Sequence, residues 1–274
     1  VVIAASNEAA LIDACLDALL AQDAAAGVVA VTVAANACTD ATEALVAARI
    51  PDFAARGWRL TCLHIATAGK INALNRADDA VDGDGAGPRA YLDADVICDP
   101  ALLGQLRAAL APHRALYATG TLAVAPARTW ATRRYARLWT RLPFVRGGAV
   151  GAGLFAVNAA GRARWGAFPD IISDDTYARL QFAPAERIEV PARYHWPMVE
   201  GFANLVRVRR RQDEGVRQIA ERWPHLIANE GKAAVGPGGA ARLAAGTPVA
   251  FAVYAAVHAA VRLRRGGGEW TRGR

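Results

Sequence analysis

Along residues 1–100, continuous apolar runs alternate with amphipathic ones. The runs "VVIAAS" (1–6), "GVVAVTVAA" (27–35), "RLTCLHIA" (59–66) and "RAYLDADV" (89–96) read as strands buried on both faces. Between them, "EAALIDACLDALLAQ" (8–22) carries Leu11, Cys15 and Leu19 four residues apart, the spacing of one helix face. The segments "TDATEALVAARI" (39–50) and "GKINALNRADDAV" (69–81) read as two further helices, and Thr39 or Asp40 can cap the first of these. Strand–helix alternation of this kind predicts an α/β fold with a mostly parallel sheet flanked by helices. The loops that follow the strands then share one sheet edge, where such folds bind ligands. Asn7, Asn36, Asp40, Asp93 and Asp95 all fall on that edge.

The pattern is less regular after residue 100. A helix is expected over "TWATRRYARLW" (129–139), followed by a glycine-rich turn "GGAVGAG" (147–153) and a strand "LFAVN" (154–158). "DDTYARLQF" (174–182) opens a helix with two acids, which suits the positive end of the helix dipole. "ERIEV" (186–190) reads as a strand and 200–223 as a long basic helix. Residues 231–246, rich in Gly, Ala and Pro, read as a linker. Arg242 and Arg262 then bracket nineteen uncharged residues. That is close to the ~20 residues a bilayer span needs. Gly246, Pro248, His258 and the excess of alanine favour a buried or membrane-resting helix over a span. If that stretch spans, the tail "RLRRGGGEWTRGR" (262–274) would favour the cytoplasmic side. The expected organisation is a domain over 1–222, split into a nucleotide-binding half (1–100) and an acceptor-side half (101–222), with an extension over 223–274.

Charge adds a partner class. The formal net charge is +7, concentrated in arginines of 127–146 and 207–211. Such a surface suits an anionic partner: a diphosphate or an anionic membrane face. Nucleic acid is not expected, since no zinc, RNP or basic-zipper signature accompanies the charge. Cys15, Cys38, Cys62 and Cys98 form no metal-ligand spacing and read as reduced thiols of a cytoplasmic protein. The opening lacks a secretory leader pattern, and its immediate entry into a strand suggests a trimmed N-terminus.

In "YLDADV", Asp93 and Asp95 stand one residue apart at a strand end. Paired carboxylates repel each other unless a cation sits between them. Oxygen ligands with open positions suit Mg²⁺ or Mn²⁺ bridging a diphosphate. By itself such a pair also occurs on solvated loops.

Five segments in register give this pair a context. "VVIAASNEAALI", "VAANACTDAT", "GKINALNRA", "YLDADV" and "GAVGAGLFAVNAAGRARWGAFPDIISDDTYARL" together resemble family 2 glycosyltransferases over roughly residues 1–220. The resemblance implies a GT-A-like fold and an inverting transfer from a nucleotide-sugar, a UDP-sugar first and a GDP-sugar second, to a glycan or lipid-linked acceptor. A role in bacterial cell-envelope or exopolysaccharide synthesis is the family-level expectation. By the same resemblance, Asp40 would contact base or ribose, and Asn7 and Glu8 would line the nucleotide pocket. Lys70 would lie near the nucleotide. Asp93 would order the donor and Asp95 hold the metal, with His195 of "RYHWP" as a further candidate ligand. Gly151 and Gly153 would let donor and acceptor approach closely. Asp175 would be the general base, with Asp174 the second candidate.

Each residue also has a plainer explanation: helix caps for Asp40, Asp174 and Asp175, a turn for Asn7 and Glu8, a solvated lysine, tight packing for the glycines, and a structural histidine. The chain departs from the family pattern at Ala4 and Ser6, where proline and tyrosine are usual. "RVRRR" (207–211) stands in place of "QxxRW", with Arg210 matching its arginine, which argues against a processive polymerase. Two other readings are a sugar nucleotidyltransferase and a non-catalytic glycan- or membrane-binding relative. The first lacks a triphosphate loop; the second need not keep the acids.

Overall fold

The apolar runs become the strands of one eight-stranded sheet in the computed structural model, which describes residues 1–81 and 87–263. The strands are β1 (Val2–Ala5), β2 (Ala30–Asn36), β3 (Arg59–Ile65), β4 (Arg89–Asp93), β5 (Ile97–Cys98), β6 (Tyr117–Val124), β7 (Leu154–Val157) and β8 (Arg187–Trp196). The helices of the first half are α1 (Ile12–Leu20), α2 (Thr42–Ala48), α3 (Ile50–Ala55), α4 (Lys70–Asp79) and α5 (Leu102–Ala109). Those of the second are α6 (Trp130–Trp139), α7 (Ala159–Arg162), α8 (Asp174–Leu180), α9 (Phe202–Arg222), α10 (Pro237–Gly246) and α11 (Pro248–Leu263).

The sheet order is β3-β2-β1-β4-β7-β6-β8-β5. Its first four strands are parallel, as the alternation predicts. Beyond β4 it is mixed: β7 runs antiparallel to β4 and β6, and β5 antiparallel to β8, whereas β6 and β8 are parallel. Adjacent residues feed opposite faces. Ile3, Leu92 and Leu154 join a core with Leu16, Leu19 and Leu102, while Val2, Tyr91 and Phe155 join one with Leu74, Phe182 and Ile219. Such two-sided burial is why the strands read as unbroken apolar runs.

β8 is longer than the five residues expected. Its register against β6 shifts between Gly120 and Thr121, beside Pro191, which has no N–H to give the ladder. Past this bulge the strand continues, so that His195 pairs with Ile97 of β5.

One expectation for the C-terminal part changes. The segment read as a linker is helical over Pro237–Gly246. Pro237 occupies the first turn, where its missing N–H costs nothing, and the alanines that lowered sequence complexity are strong helix formers. The nineteen-residue uncharged stretch is divided at Thr247, and no helix of the described residues is long and apolar enough to cross a membrane. As favoured over a span, α11 is a packed helix: it lies on α6 and α9, burying Ala250 and Val257 and stacking Tyr254 on Tyr135 at 5.1 Å. The basic tail lies outside the described residues from 264 onward.

Candidate active site

The strand ends meet through polar side chains from the loops. Asn7, at φ +52°, accepts hydrogen bonds at Oδ1 from the Thr39 N–H (2.7 Å) and the Asp40 N–H (3.3 Å). This ties the loop after β1 to the loop after β2. Asn tolerates the left-handed region that this turn requires. Asp40 accepts from the Thr42 N–H (3.0 Å), the Thr42 hydroxyl (2.5 Å) and the Ala9 N–H (3.1 Å). Desolvation raises its carboxyl, but these donors outweigh it and hold the pKa below the ordinary value. Asp40 therefore braces the loop. The Glu8 N–H donates to the Thr42 hydroxyl at 2.8 Å, completing the same brace.

Asn36, buried at the end of β2, accepts from the Gly69 N–H at 3.0 Å. Gly69 has φ +145°, and this turn starts α4 with Lys70. Sequence reading put Asn36 on the edge without a role. It fixes the entry to α4, and thereby Lys70.

Lys70 is the centre of the acidic site. Its Nζ lies 2.9 Å from Asp93 Oδ1 and 3.2 Å from Asp174 Oδ2, joining the end of β4 to the start of α8. Burial opposes its charge, but Asp174, Asp93 and Asp175 together raise its pKa above the ordinary value. Asp174 is 5% exposed and committed to this ion pair. Asp175, half-buried, behaves differently. Burial and the neighbouring Asp174 push its pKa up to about 6, against the opposing pull of Lys70. Two adjacent acids are thus driven to separate roles by their surroundings.

The glycine loop closes over the acids. Gly151 and Gly153 have φ +67° and +75°. A Cβ on Gly151 would stand 1.8 Å from the Tyr117 hydroxyl, and one on Gly153 would stand 2.6 Å from Trp196 Cδ1. The Gly153 carbonyl accepts from the Asp93 N–H at 2.8 Å, which pins the acid to the loop. Both glycines line a narrow crevice with Lys70, Asp93, Asp174 and Asp175. A larger cavity of about 450 Å³ opens on the other side of Asp175, toward α8, α9 and α11. Asp175 lines both spaces; Asp174 lines only the crevice.

The structure therefore gathers Lys70, Asp93, Asp174, Asp175, Gly151 and Gly153 at one point. Asn7, Glu8 and Asp40 form a separate brace at the neighbouring strand ends. His195 is engaged elsewhere: its Nε2 lies 3.1 Å from Asp99 Oδ1, on the β5 side of the edge. Asp99 was not singled out in the sequence. Asp93 and Asp95 belong to one turn, closed by the Val96 N–H donating to the Asp93 carbonyl, and both are half-buried. Among the described residues, no cluster of three or more His, Cys, Asp or Glu could hold a metal by itself. Two carboxylates on one turn fit a hard divalent cation that takes its remaining ligands from phosphate and water, as Mg²⁺ and Mn²⁺ do.

The chain is similar to mannosyltransferase PcManGT from Pyrobaculum calidifontis, in complex with GDP-Man and Mn²⁺: TM-score 0.55, 22% identity, 97% of this chain and 75% of that one covered. It is similar to S. aureus TarS 1–349 in complex with UDP (TM-score 0.53, 12% identity, 96% and 90% covered). A third is glucosyl-3-phosphoglycerate synthase from Mycobacterium tuberculosis with Mn²⁺, UDP and glucosyl-3-phosphoglycerate (TM-score 0.51, 19% identity, 81% and 78% covered). At these identities the likeness shows a GT-A-like fold. No curated protein sequence matches. The family model described as glycosyl transferase family 2 matches residues 1–164, more than half of the chain, including β1 to β4 and the Asp93/Asp95 turn. By that match, this chain belongs to glycosyl transferase family 2.

Proposed function

We propose that the protein is an inverting glycosyltransferase moving a sugar from a nucleotide diphosphate to an acceptor hydroxyl. The observation that carries the assignment is the position of Asp175. It touches both the crevice at the glycine loop and the larger cavity, and its pKa of about 6 suits a base working near neutral pH. Asp175 takes the proton from the acceptor hydroxyl as that oxygen attacks the anomeric carbon. The nucleoside diphosphate leaves from the opposite face, so the configuration inverts. Asp174 and Lys70 keep the base oriented, and Lys70 holds Asp93 in place.

In this reading Asp95 and Asp93 hold Mg²⁺ or Mn²⁺. An ion held there would offset charge on the departing diphosphate. Asn7, Glu8 and Asp40 shape the nucleotide side, with Asp40 contacting base or ribose. The solved relatives include complexes with UDP and with GDP-Man, which supports a UDP-sugar or a GDP-sugar here. Residues 1–222 form the catalytic domain, 1–100 serving the donor and 101–222 the acceptor, with 223–274 an extension whose described part, to residue 263, packs against the acceptor side. The exposed arginines Arg133 and Arg137 of α6 and Arg207 of α9 favour work at the inner face of an anionic membrane on a lipid-linked or free glycan acceptor. Sedimentation with anionic vesicles tests that placement, and absence of salt-sensitive binding counts against it.

The donor assignment is tested by calorimetric titration of UDP and GDP, with Mn²⁺ and with EDTA, into wild type and Asp95→Asn. Metal-dependent binding lost in the variant is expected. Absence of binding of both nucleotides to a folded protein would overturn the donor site.

A further inference from the structure

The larger cavity beside Asp175 has an unusual wall. Its lining brings four cationic side chains, Arg179, Arg187, Arg209 and Lys232, against two carboxylates, Asp175 and Glu230. Arg179 is 4% exposed and donates from one guanidinium nitrogen to both Glu230 oxygens, at 2.9 and 2.8 Å. Lys232 reaches the same carboxylate at 2.5 Å, and Arg187 donates to the Glu230 carbonyl at 3.2 Å. One acid thus serves a group of three cations. Burial and the nearby Arg179 push the Arg187 pKa down to about 10, the response of a cation short of compensating charge.

The outer part of the wall points the same way. The Lys232 side chain is 41% exposed, and Glu230 supplies its carboxylate contact. An ammonium has three donors, so its remaining ones face the cavity or solvent. Across the space, Arg209 pairs with Asp213, but its Nε has no hydrogen-bond partner among the described residues; nor has His258 Nε2 of α11. Buried cations in excess of acids are costly unless an anion joins them. The cavity volume is in the range of small-ligand sites.

From this arrangement we infer that the acceptor is anionic: a phosphate or carboxylate group docks between Lys232 and Arg209 while the hydroxyl to be glycosylated meets Asp175. The inference rests on the transferase reading above and narrows its acceptor class. It also gives the C-terminal segment a task. Glu230, Lys232 and α11 close the acceptor cavity and select what enters it. A neutral glycan of the same size would leave the cationic wall uncompensated and bind more weakly.

The test uses the full chain and inorganic phosphate as probe. Phosphate is titrated by calorimetry in EDTA, with wild type and with the double variant Lys232→Gln/Arg209→Gln. UDP and GDP with Mn²⁺ are titrated in parallel. The expected result is saturable phosphate binding to wild type, weakened about tenfold or more in the double variant, which loses charge-assisted contacts. Nucleotide binding stays unchanged, because neither residue touches the donor edge. Competition by glycerol 3-phosphate supports a soluble anionic acceptor. Competition by vesicles containing phosphatidylglycerol, but not by phosphatidylcholine vesicles, supports a lipid-borne one. Intact nucleotide binding with no phosphate binding, or phosphate binding indifferent to the double variant, overturns the inference and leaves the donor reading standing. Failure of nucleotide binding in wild type strikes the donor reading instead.

Discussion

Replacing Asp174 by asparagine should make the enzyme more tolerant of acid. In the wild type, burial and the Asp174 charge hold the Asp175 pKa at about 6, while Lys70 pulls it down. Asp174→Asn removes the like charge and frees Lys70 from one of its two partners. Both changes favour ionised Asp175. Burial persists, so the pKa should fall by about one unit, or about 1.4 kcal/mol, and stay above that of a free carboxyl. At pH 5 a base of pKa about 6 is roughly one-tenth ionised, whereas one of pKa about 5 is half ionised. Activity at pH 5, relative to the plateau, should therefore rise about fivefold even though the plateau itself falls. The assay is nucleoside diphosphate release from the sugar nucleotide between pH 4.5 and 8, with circular dichroism confirming a folded chain at each point. An acid limb that stays put or moves upward refutes this electrostatic account. Loss of turnover in Asp174→Asn with its retention in Asp175→Asn would make Asp174 the base.

Other predictions follow from the same geometry. Asp175→Asn should raise the melting temperature at pH 7.5 but not at pH 4. A carboxyl whose folded pKa is raised stabilises only below its unfolded value and loses that contribution as pH climbs through about 6; removing the charge is worth up to about 2–3 kcal/mol at neutral pH. Asp78→Ala should cost about 3–5 kcal/mol in denaturant titrations, since a buried carboxylate bridging Arg89 (2.7 Å) and Arg162 (2.8 Å) leaves two cations unpaired. Gly153→Ala should lose about 1–3 kcal/mol of stability and most activity, because it meets both a positive φ and the Trp196 ring; a variant with wild-type melting would contradict the packing role. Asn36→Ala should cost about 1–2 kcal/mol and reduce activity, having stripped the Gly69 N–H of its acceptor.

The parallel half of the fold was legible because its strands are apolar on both faces and its helices carry clear periodicity. The same reading placed Asn7, Asp40 and Asp93 at one edge. It could not see β6, whose "YATGTLAV" mixes Gly and Thr with apolar residues: Gly120 is forced by contact with the Ala192 carbonyl, a neighbour distant in sequence. α10 was hidden because alanine-rich sequence is both low in complexity and strongly helical. Within the site, the acids were visible as residue types, but their division of labour was not. That division depends on Lys70 reaching Asp174 rather than Asp175 and on a cavity assembled from α8, α9 and α11. The cationic wall was visible only as an arginine excess, since Arg179, Arg187 and Lys232 meet at Glu230 through folding alone.

The central claim is that Asp175 is the base of a sugar transfer. Its most direct test pairs two readings on Asp175→Asn: UDP or GDP binding in Mn²⁺, and nucleoside diphosphate release from a panel of UDP- and GDP-sugars. The account predicts wild-type nucleotide affinity with turnover reduced about a hundredfold or more. Turnover at the wild-type rate in this variant would contradict it.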